Sequence, residues 1–192
     1  MVEQGQAGQE PTSVPLIPRR PWHRRLIIDP LFRVGGVRRI WWADFYKYCL
    51  HNIDPCVPMY SISGSGEFAK EPESEPVIHQ LVSQKNDRCW YAILERGIEE
   101  DRRLGLQATA DHGRWSGKLV FLTSGAIESH FVICGDHVFL EAPHEPDAPP
   151  EDRPGVMVSN DPLLLDAARE TYNRILRDKS TKWQWSLAKC HS

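Results

Sequence analysis

Residues 128 to 142, ESHFVICGDHVFLEA, gather His130, His137, Cys134, Asp136, Glu128 and Glu141 within fifteen positions. These types supply general acids and bases, a thiol and metal ligands. Apolar residues on both sides of Gly135 and Asp136 predict a β-hairpin closed by a two-residue turn. That turn sets Cys134 opposite His137, Ile133 opposite Val138, Val132 opposite Phe139, Phe131 opposite Leu140 and His130 opposite Glu141. One face, Phe131, Ile133, Val138 and Leu140, is wholly apolar and belongs to a core. The other, His130, Val132, Cys134, His137, Phe139 and Glu141, is apolar at its centre and polar at both ends.

A histidine across from a glutamate forms a charge-assisted hydrogen bond, an arrangement that serves acid–base chemistry and, more commonly, holds structure together. His130 and Glu141 are therefore the candidate catalytic pair, although no nucleophile or substrate loop stands at a telling spacing from them. A metal site drawn from His130, Cys134, His137 and His144 fails on distance. Positions 130 and 134 share a strand face but lie roughly 13 Å apart at about 3.3 Å per residue. Cys134 with His137 could form half a site, and the sequence offers no second half. Cys134 reads better as a small buried apolar residue. No metal and no cofactor are expected.

Two other polar stretches carry less. SGSGEF (63 to 68) lacks the G-x-x-x-x-G-K frame of a phosphate cradle and reads as a turn. DHGRW (111 to 115) places an aspartate, a histidine and an arginine in a loop and also reads as a turn. The strongly one-signed stretch is 19 to 39, where Arg19, Arg20, Arg24, Arg25, Arg33, Arg38 and Arg39 face one acid, Asp29. With Trp22, Trp41, Trp42, Phe45 and Tyr46 nearby, it has guanidinium groups for phosphate and rings for stacking. Arg19, Arg20, Arg24, Arg25, Arg38 and Arg39 are the candidate contacts to nucleic acid or another polyanion. A net charge of -3 argues against a dominant nucleic-acid role. The same segment could dock on the acidic stretches 67 to 75 or 145 to 152, within the chain or across a homodimer.

The elements that must position these residues are partly legible. VRRIWWADFYKYCLHNI carries apolar residues at spacings of three and four and predicts a helix. RLIID (25 to 29) and MYSIS (59 to 63) read as strands. A helix is expected to begin at Pro76 and run through VIHQLVSQ. DRCWYAILERGIEEDRR has helical spacing, with CWYAIL alone an equally good buried strand. LGLQATA and KLVFLTS predict an antiparallel pair, and VMVS an edge strand. In NDPLLLDAARETYNRIL, Asp161 is the expected N-cap and Pro162 the first helical residue, with one apolar stripe behind them.

A chain of 192 residues, 41% hydrophobic and 26% charged, supports one domain with a sizeable core. The expected organisation is a disordered tail at 1 to 18, a single α+β domain at 19 to 180, and a short tail at 181 to 192. Its sheet is expected to be mostly antiparallel or mixed, flanked by helices. Five widely spaced cysteines without a C-x-x-C pair disfavour a disulfide scaffold and favour a reducing, cytoplasmic compartment. Without an apolar leader or a run of eighteen apolar residues, the protein is expected to be soluble, with no membrane partner.

The order GKLVFLT, ESHFVICGDHVFLE, a long polar loop and GVMVSNDPLLLDAARETYNRIL resembles, over about residues 117 to 178, the second part of a phospholipase-D-like domain. In that superfamily a strand bearing H-x-K-x4-D runs into a hairpin, and a later strand and helix pack back on the sheet. The resemblance implies a sandwich fold, with a histidine as nucleophile toward a phosphodiester and a lysine on the phosphate. Laid on that frame, Glu128 takes the histidine's place, His130 the lysine's, and Gly135 or Asp136 the aspartate's. A glutamate there would repel phosphate, and the lysine charge is missing. The implied function is therefore a degenerate, non-catalytic binding or regulatory module. The alternatives are a hydrolase or phosphodiesterase using His130 and Glu141, and a nucleic-acid-binding protein acting through 19 to 39.

Overall fold

The computed structural model describes residues 14, 16–17, 37–40, 42–64, 76–77, 80–81, 88–112, 118–141, 155–159 and 161–188. In chain order its elements are β1 (Val37–Ile40), α1 (Trp42–Asn52), β2 (Met59–Ser63), β3 (Cys89–Leu94), α2 (Glu100–His112), β4 (Lys118–Thr123), β5 (Phe131–Cys134), β6 (His137–Glu141), β7 (Gly155–Ser159), α3 (Pro162–Leu176) and β8 (Lys182–Ala188). The strands form one eight-stranded sheet in the order β1-β7-β6-β5-β2-β3-β4-β8. β2, β3 and β4 run parallel, and the other neighbours pair antiparallel. The fold is α+β, with a mixed, mostly antiparallel sheet flanked by helices, as the sequence predicts.

Both faces of the sheet are covered. On one, Trp42, Phe45, Tyr46 and Cys49 of α1, Leu106 of α2, and Val77 and Leu81 pack on Met59, Trp90, Leu94, Phe121, Val132 and Phe139. On the other, Leu165, Ala168, Tyr172 and Ile175 of α3 pack on Tyr60, Ile62, Tyr91, Ile93, Phe131, Ile133 and Val138. Covering a sheet on both sides removes the apolar–polar alternation that marks a half-exposed strand. CWYAIL is such a case: it is strand β3, and its helical spacing is accidental to a run that is apolar throughout.

Three expectations are corrected. LGLQATA is not a strand paired antiparallel with KLVFLTS; it lies in α2, and β4 runs parallel to β3. Parallel neighbours need a crossover, and α2 provides it. Its composition of Leu, Gln, Ala, Glu and Arg favours a helix, its acidic first turn suits the helix dipole, and Glu100 pairs with Arg103 one turn on. The apparent alternation was misleading, since Leu104 is exposed and Leu106 buried. VRRI belongs to strand β1, and the helix starts at Trp42. VMVS lies within β7, which is interior, between β1 and β6.

The remaining elements follow the pattern. Asp161 caps α3, its Oδ1 accepting from the backbone N–H of Leu163 and Leu164 at 3.0 and 3.2 Å, with Pro162 in the first turn. Pro76, Val77, Gln80 and Leu81 are helical, where a helix is expected. TKWQWSLA, which composition leaves unplaced, supplies β8 at the sheet edge beside β4. Ile17, within the stretch set apart as a tail, is buried and held to α3: Asn173 Oδ1 accepts from its N–H at 3.0 Å and Asn173 Nδ2 donates to its carbonyl at 3.1 Å. RLIID falls outside the described residues.

Candidate functional site

The hairpin has the predicted register, residue for residue from Phe131↔Leu140 to Cys134↔His137. Gly135 sits at φ 61, the left-handed conformation that the first position of such a turn requires. Arg169 of α3, itself buried, clasps the turn: its guanidinium donates to the Gly135 carbonyl at 3.3 Å and lies 3.8 Å from Asp136 Oδ1. With this end anchored, the opposite end of the hairpin carries the candidate chemistry.

There the His130–Glu141 pair forms. His130 Nδ1 lies 2.6 Å from Glu141 Oε2, and the Glu141 N–H donates to the His130 carbonyl at 3.0 Å. The other carboxylate oxygen, Oε1, accepts from Trp42 Nε1 at 3.2 Å. In the neutral ring a carboxylate accepting at Nδ1 selects the tautomer with its proton on that nitrogen and leaves Nε2 as an acceptor. The Glu141 side chain is 10% exposed and that of His130 28%, so the carboxylate is sunk beneath a more accessible imidazole.

Packing explains how Trp42 reaches Glu141. Its ring lies on Phe139 with centroids 4.1 Å apart, and the Phe139 ring in turn passes over Gly155 of β7. A Cβ at Gly155 would collide with Phe139 Cζ and stand 2.7 Å from the Leu140 carbonyl oxygen, so any side chain there would force the ring and the β6 backbone to shift. Gly155, Phe139, Trp42, Glu141 and His130 thus form a chain of contacts that ends on the imidazole.

β2 and β3 end, like their parallel neighbour β4, on the side of the sheet where β6 finishes at Glu141. Carboxyl ends of parallel strands are the usual place for ligands in open sheets with helices on both faces. His130 Nε2 is turned toward Gly64, just past β2. It lies 3.8 Å from where a Gly64 Cβ would be, and Glu95 Oε2, just past β3, lies 3.9 Å from the same point. Ser63, buried at the last position of β2, has a hydroxyl without a hydrogen-bond partner among the described residues. The mouth therefore sets an imidazole edge and a carboxylate around a glycine, next in the chain to the enclosed Ser63 hydroxyl.

The other candidates do not join it. His137 is 9% exposed and packed under α1, with Nε2 3.0 Å from Tyr48 Oη. It lies four residues along β6 from Glu141, about 13 Å at 3.3 Å per residue. Cys134 is buried at the same far end. No group of three or more histidine, cysteine, aspartate or glutamate residues able to hold a metal occurs among the described residues. Glu128 is exposed and pairs with Arg174 at 3.4 Å, away from the mouth. Arg38 and Arg39 stand opposite Met157 and Val156 in edge strand β1. Their side chains, that of His112, and Arg19, Arg20, Arg24 and Arg25 lie outside the described residues.

Sequence reasoning missed Trp42 as a partner of Glu141, and Gly64 and Glu95 as neighbours of His130. SGSG offered a signal, a small-residue run directly after a buried strand, but a turn explains that composition equally well. Glu95 had none, because its nearness depends on β2 and β3 being parallel neighbours.

No family model matches the sequence, and no curated protein matches it. Among solved structures, TrmBL2, an archaeal chromatin protein whose structure shows a novel mode of DNA binding, aligns at 13% sequence identity and a TM-score of 0.48. The alignment covers 82% of this chain and 56% of that one, so the chain spans little more than half of TrmBL2. No helix among the described residues is long and apolar enough to cross a membrane.

Proposed function

We propose that this protein is a non-hydrolytic binding module, similar to a degenerate phospholipase-D-like domain, whose ligand docks at the mouth formed by Gly64, Glu95 and His130. The observation that carries the reading is the fixed imidazole. Glu141 holds Nδ1 at 2.6 Å, and the Cε1–Nε2 edge of the ring lies against Gly64. If the phospholipase-like frame is moved so that His130 takes the histidine's place, the lysine's place falls on Val132, which is fully buried in the core. The frame then retains a histidine and a backing carboxylate and lacks the phosphate-binding cation. Glu95 adds a negative charge that opposes a phosphodiester. The acceptor-rich mouth suits a neutral or cationic group that donates hydrogen bonds. His137 lies under α1, far from the mouth, which weighs against the hydrolase alternative with His130 and Glu141 as catalytic residues. The test is turnover of bis(4-nitrophenyl) phosphate. Release equal to buffer, and unchanged in His130→Ala, is expected; release that depends on His130 would overturn the module reading.

A second reading rests on a separate observation. Arg38 and Arg39 belong to edge strand β1, where the arginine-rich stretch 19 to 39 enters the sheet. Edge placement of Arg38 and Arg39, which close a stretch of sequence with seven arginines and one acid, supports contact with nucleic acid or another polyanion. Binding of mixed oligonucleotides that weakens with salt, and weakens further in Arg24→Ala/Arg25→Ala, is the expected result; no binding at low salt removes this reading.

A further inference from the structure

Cys49 of α1 and Cys134 of β5 are both fully buried, and one guanidinium joins them. Arg88, 4% exposed, donates through Nη1 to Cys134 Sγ at 3.0 Å and to the Val57 carbonyl at 3.2 Å. Through Nη2 it donates to the carbonyls of Cys49, Ile53 and Asp54 at 3.3, 3.0 and 3.2 Å. Most of these acceptors belong to the end of α1 and the turn beyond it, where helix carbonyls lack partners within the helix. Capping accounts for them. It does not account for the sulfur, since a thiol is a weak acceptor unless ionised.

The two thiols also lie close enough to interact. That contact, with the nearby Arg88 charge, pulls the Cys134 thiol below its ordinary value against the effect of burial. Burial first, and then the contact with Cys134, push the Cys49 thiol up. The guanidinium 3.0 Å from the Cys134 sulfur favours negative charge on that sulfur over Cys49.

We propose that Cys134 and Cys49 form a peroxide-sensitive dithiol in which Cys134, held against Arg88, is oxidised first and Cys49 resolves it to a disulfide. In the first step the Cys134 thiolate attacks one oxygen of hydrogen peroxide. An S–O bond forms, the O–O bond breaks, and the departing hydroxide takes up a proton to become water, leaving Cys134 as the sulfenic acid. In the second step Cys49, giving up its proton, attacks the Cys134 sulfur. The S–S bond forms, the S–O bond breaks, and the leaving hydroxide collects a proton as the second water. Two thiols and one peroxide thus give one disulfide and two waters. The bridge fastens α1, which carries Trp42 and its bond to Glu141, directly to β5, on which the hairpin is built.

The experiment treats the reduced full chain with hydrogen peroxide, blocks the remaining thiols with N-ethylmaleimide and maps peptides without reduction. Cys49 and Cys56 share one tryptic peptide, so Cys56→Ser is run beside the wild type. A Cys49–Cys134 link in both is expected, with a loss of two hydrogens in the intact mass. The link should vanish in Cys49→Ser, where dimedone should instead label Cys134 as the sulfenic acid. In Arg88→Gln the link should form about ten-fold more slowly, as the thiolate fraction falls. Because Arg88 also caps α1, the dimedone result in Cys49→Ser tests the order of events whether or not Arg88→Gln folds. Oxidation confined to exposed Cys56, with Cys134 recovered as the maleimide adduct, would overturn the proposal. So would the absence of dimedone label at Cys134 in Cys49→Ser.

Discussion

Replacing Glu141 by alanine removes the acceptor of two side-chain hydrogen bonds at once, from Trp42 Nε1 at 3.2 Å and His130 Nδ1 at 2.6 Å. A hydrogen bond to a charged group contributes about 1.5–3 kcal/mol net. The Trp42 bond is enclosed, with the residue 4% exposed, and keeps its share. The His130 side chain is 28% exposed and exchanges its bond for water, so its share belongs at the bottom of the range or below. The expected loss for Glu141→Ala is about 3 kcal/mol, and for Glu141→Gln, which keeps an acceptor for the indole without the charge, about 1.5 kcal/mol. Equilibrium urea unfolding at pH 7, followed by circular dichroism, measures both. A double-mutant cycle of Trp42→Phe with Glu141→Ala should return a coupling of about 1.5 kcal/mol or more. Glu141→Ala within about 0.5 kcal/mol of wild type, or additive single mutants, would refute the claim that this carboxylate joins α1 to the hairpin.

Other outcomes follow from the same contacts. Gly155→Ala places a methyl group against Phe139 and the Leu140 carbonyl, and should cost about 1–3 kcal/mol in urea unfolding while changing tryptophan fluorescence through the Trp42 ring in contact with Phe139. Tyr172→Phe loses the bond from its hydroxyl to the Tyr91 carbonyl at 3.2 Å and should cost about 1 kcal/mol. Asp161→Ala removes the α3 cap and should cost about 1 kcal/mol, whereas Asp161→Asn should cost less. Burial raises the hydroxyls of Tyr60, Tyr91 and Tyr172 above 10.0. A raised folded value means that stability is full below pH 10 and is lost as pH rises toward the folded values. The urea midpoint should therefore fall above pH 10, and less steeply in Tyr172→Phe.

What the sequence made legible was local. The hairpin register follows from Gly135 and Asp136 and from alternation on either side, and α3 follows from Asp161, Pro162 and one apolar stripe. Both depend on contacts between residues close in the chain. β3 and α2 were obscured for opposite reasons. CWYAIL is buried on both faces, so its apolar residues carry no period, whereas LGLQATA alternates by chance in a helix with one well-buried leucine. The site divides in the same way. His130 and Glu141 are eleven residues apart and joined by the hairpin, so their pairing could be read from the turn. Trp42, Glu95 and Arg88 reach their partners through the order of strands in the sheet, which no local pattern encodes. Cys134 appeared to be an ordinary buried thiol because Arg88 stands 46 residues away in the chain.

The most direct measurement is a long-range proton–nitrogen spectrum of the His130 imidazole, assigned with His130→Gln and recorded during titration with ethanolamine and, separately, inorganic phosphate. A proton on Nδ1, held by Glu141, with Nε2 accepting in the neutral ring, displacement of the Nε2 resonance by ethanolamine and little response to phosphate are expected. A proton on Nε2 in the free protein, or a ring that responds to phosphate and ignores ethanolamine, would contradict the proposed binding mode.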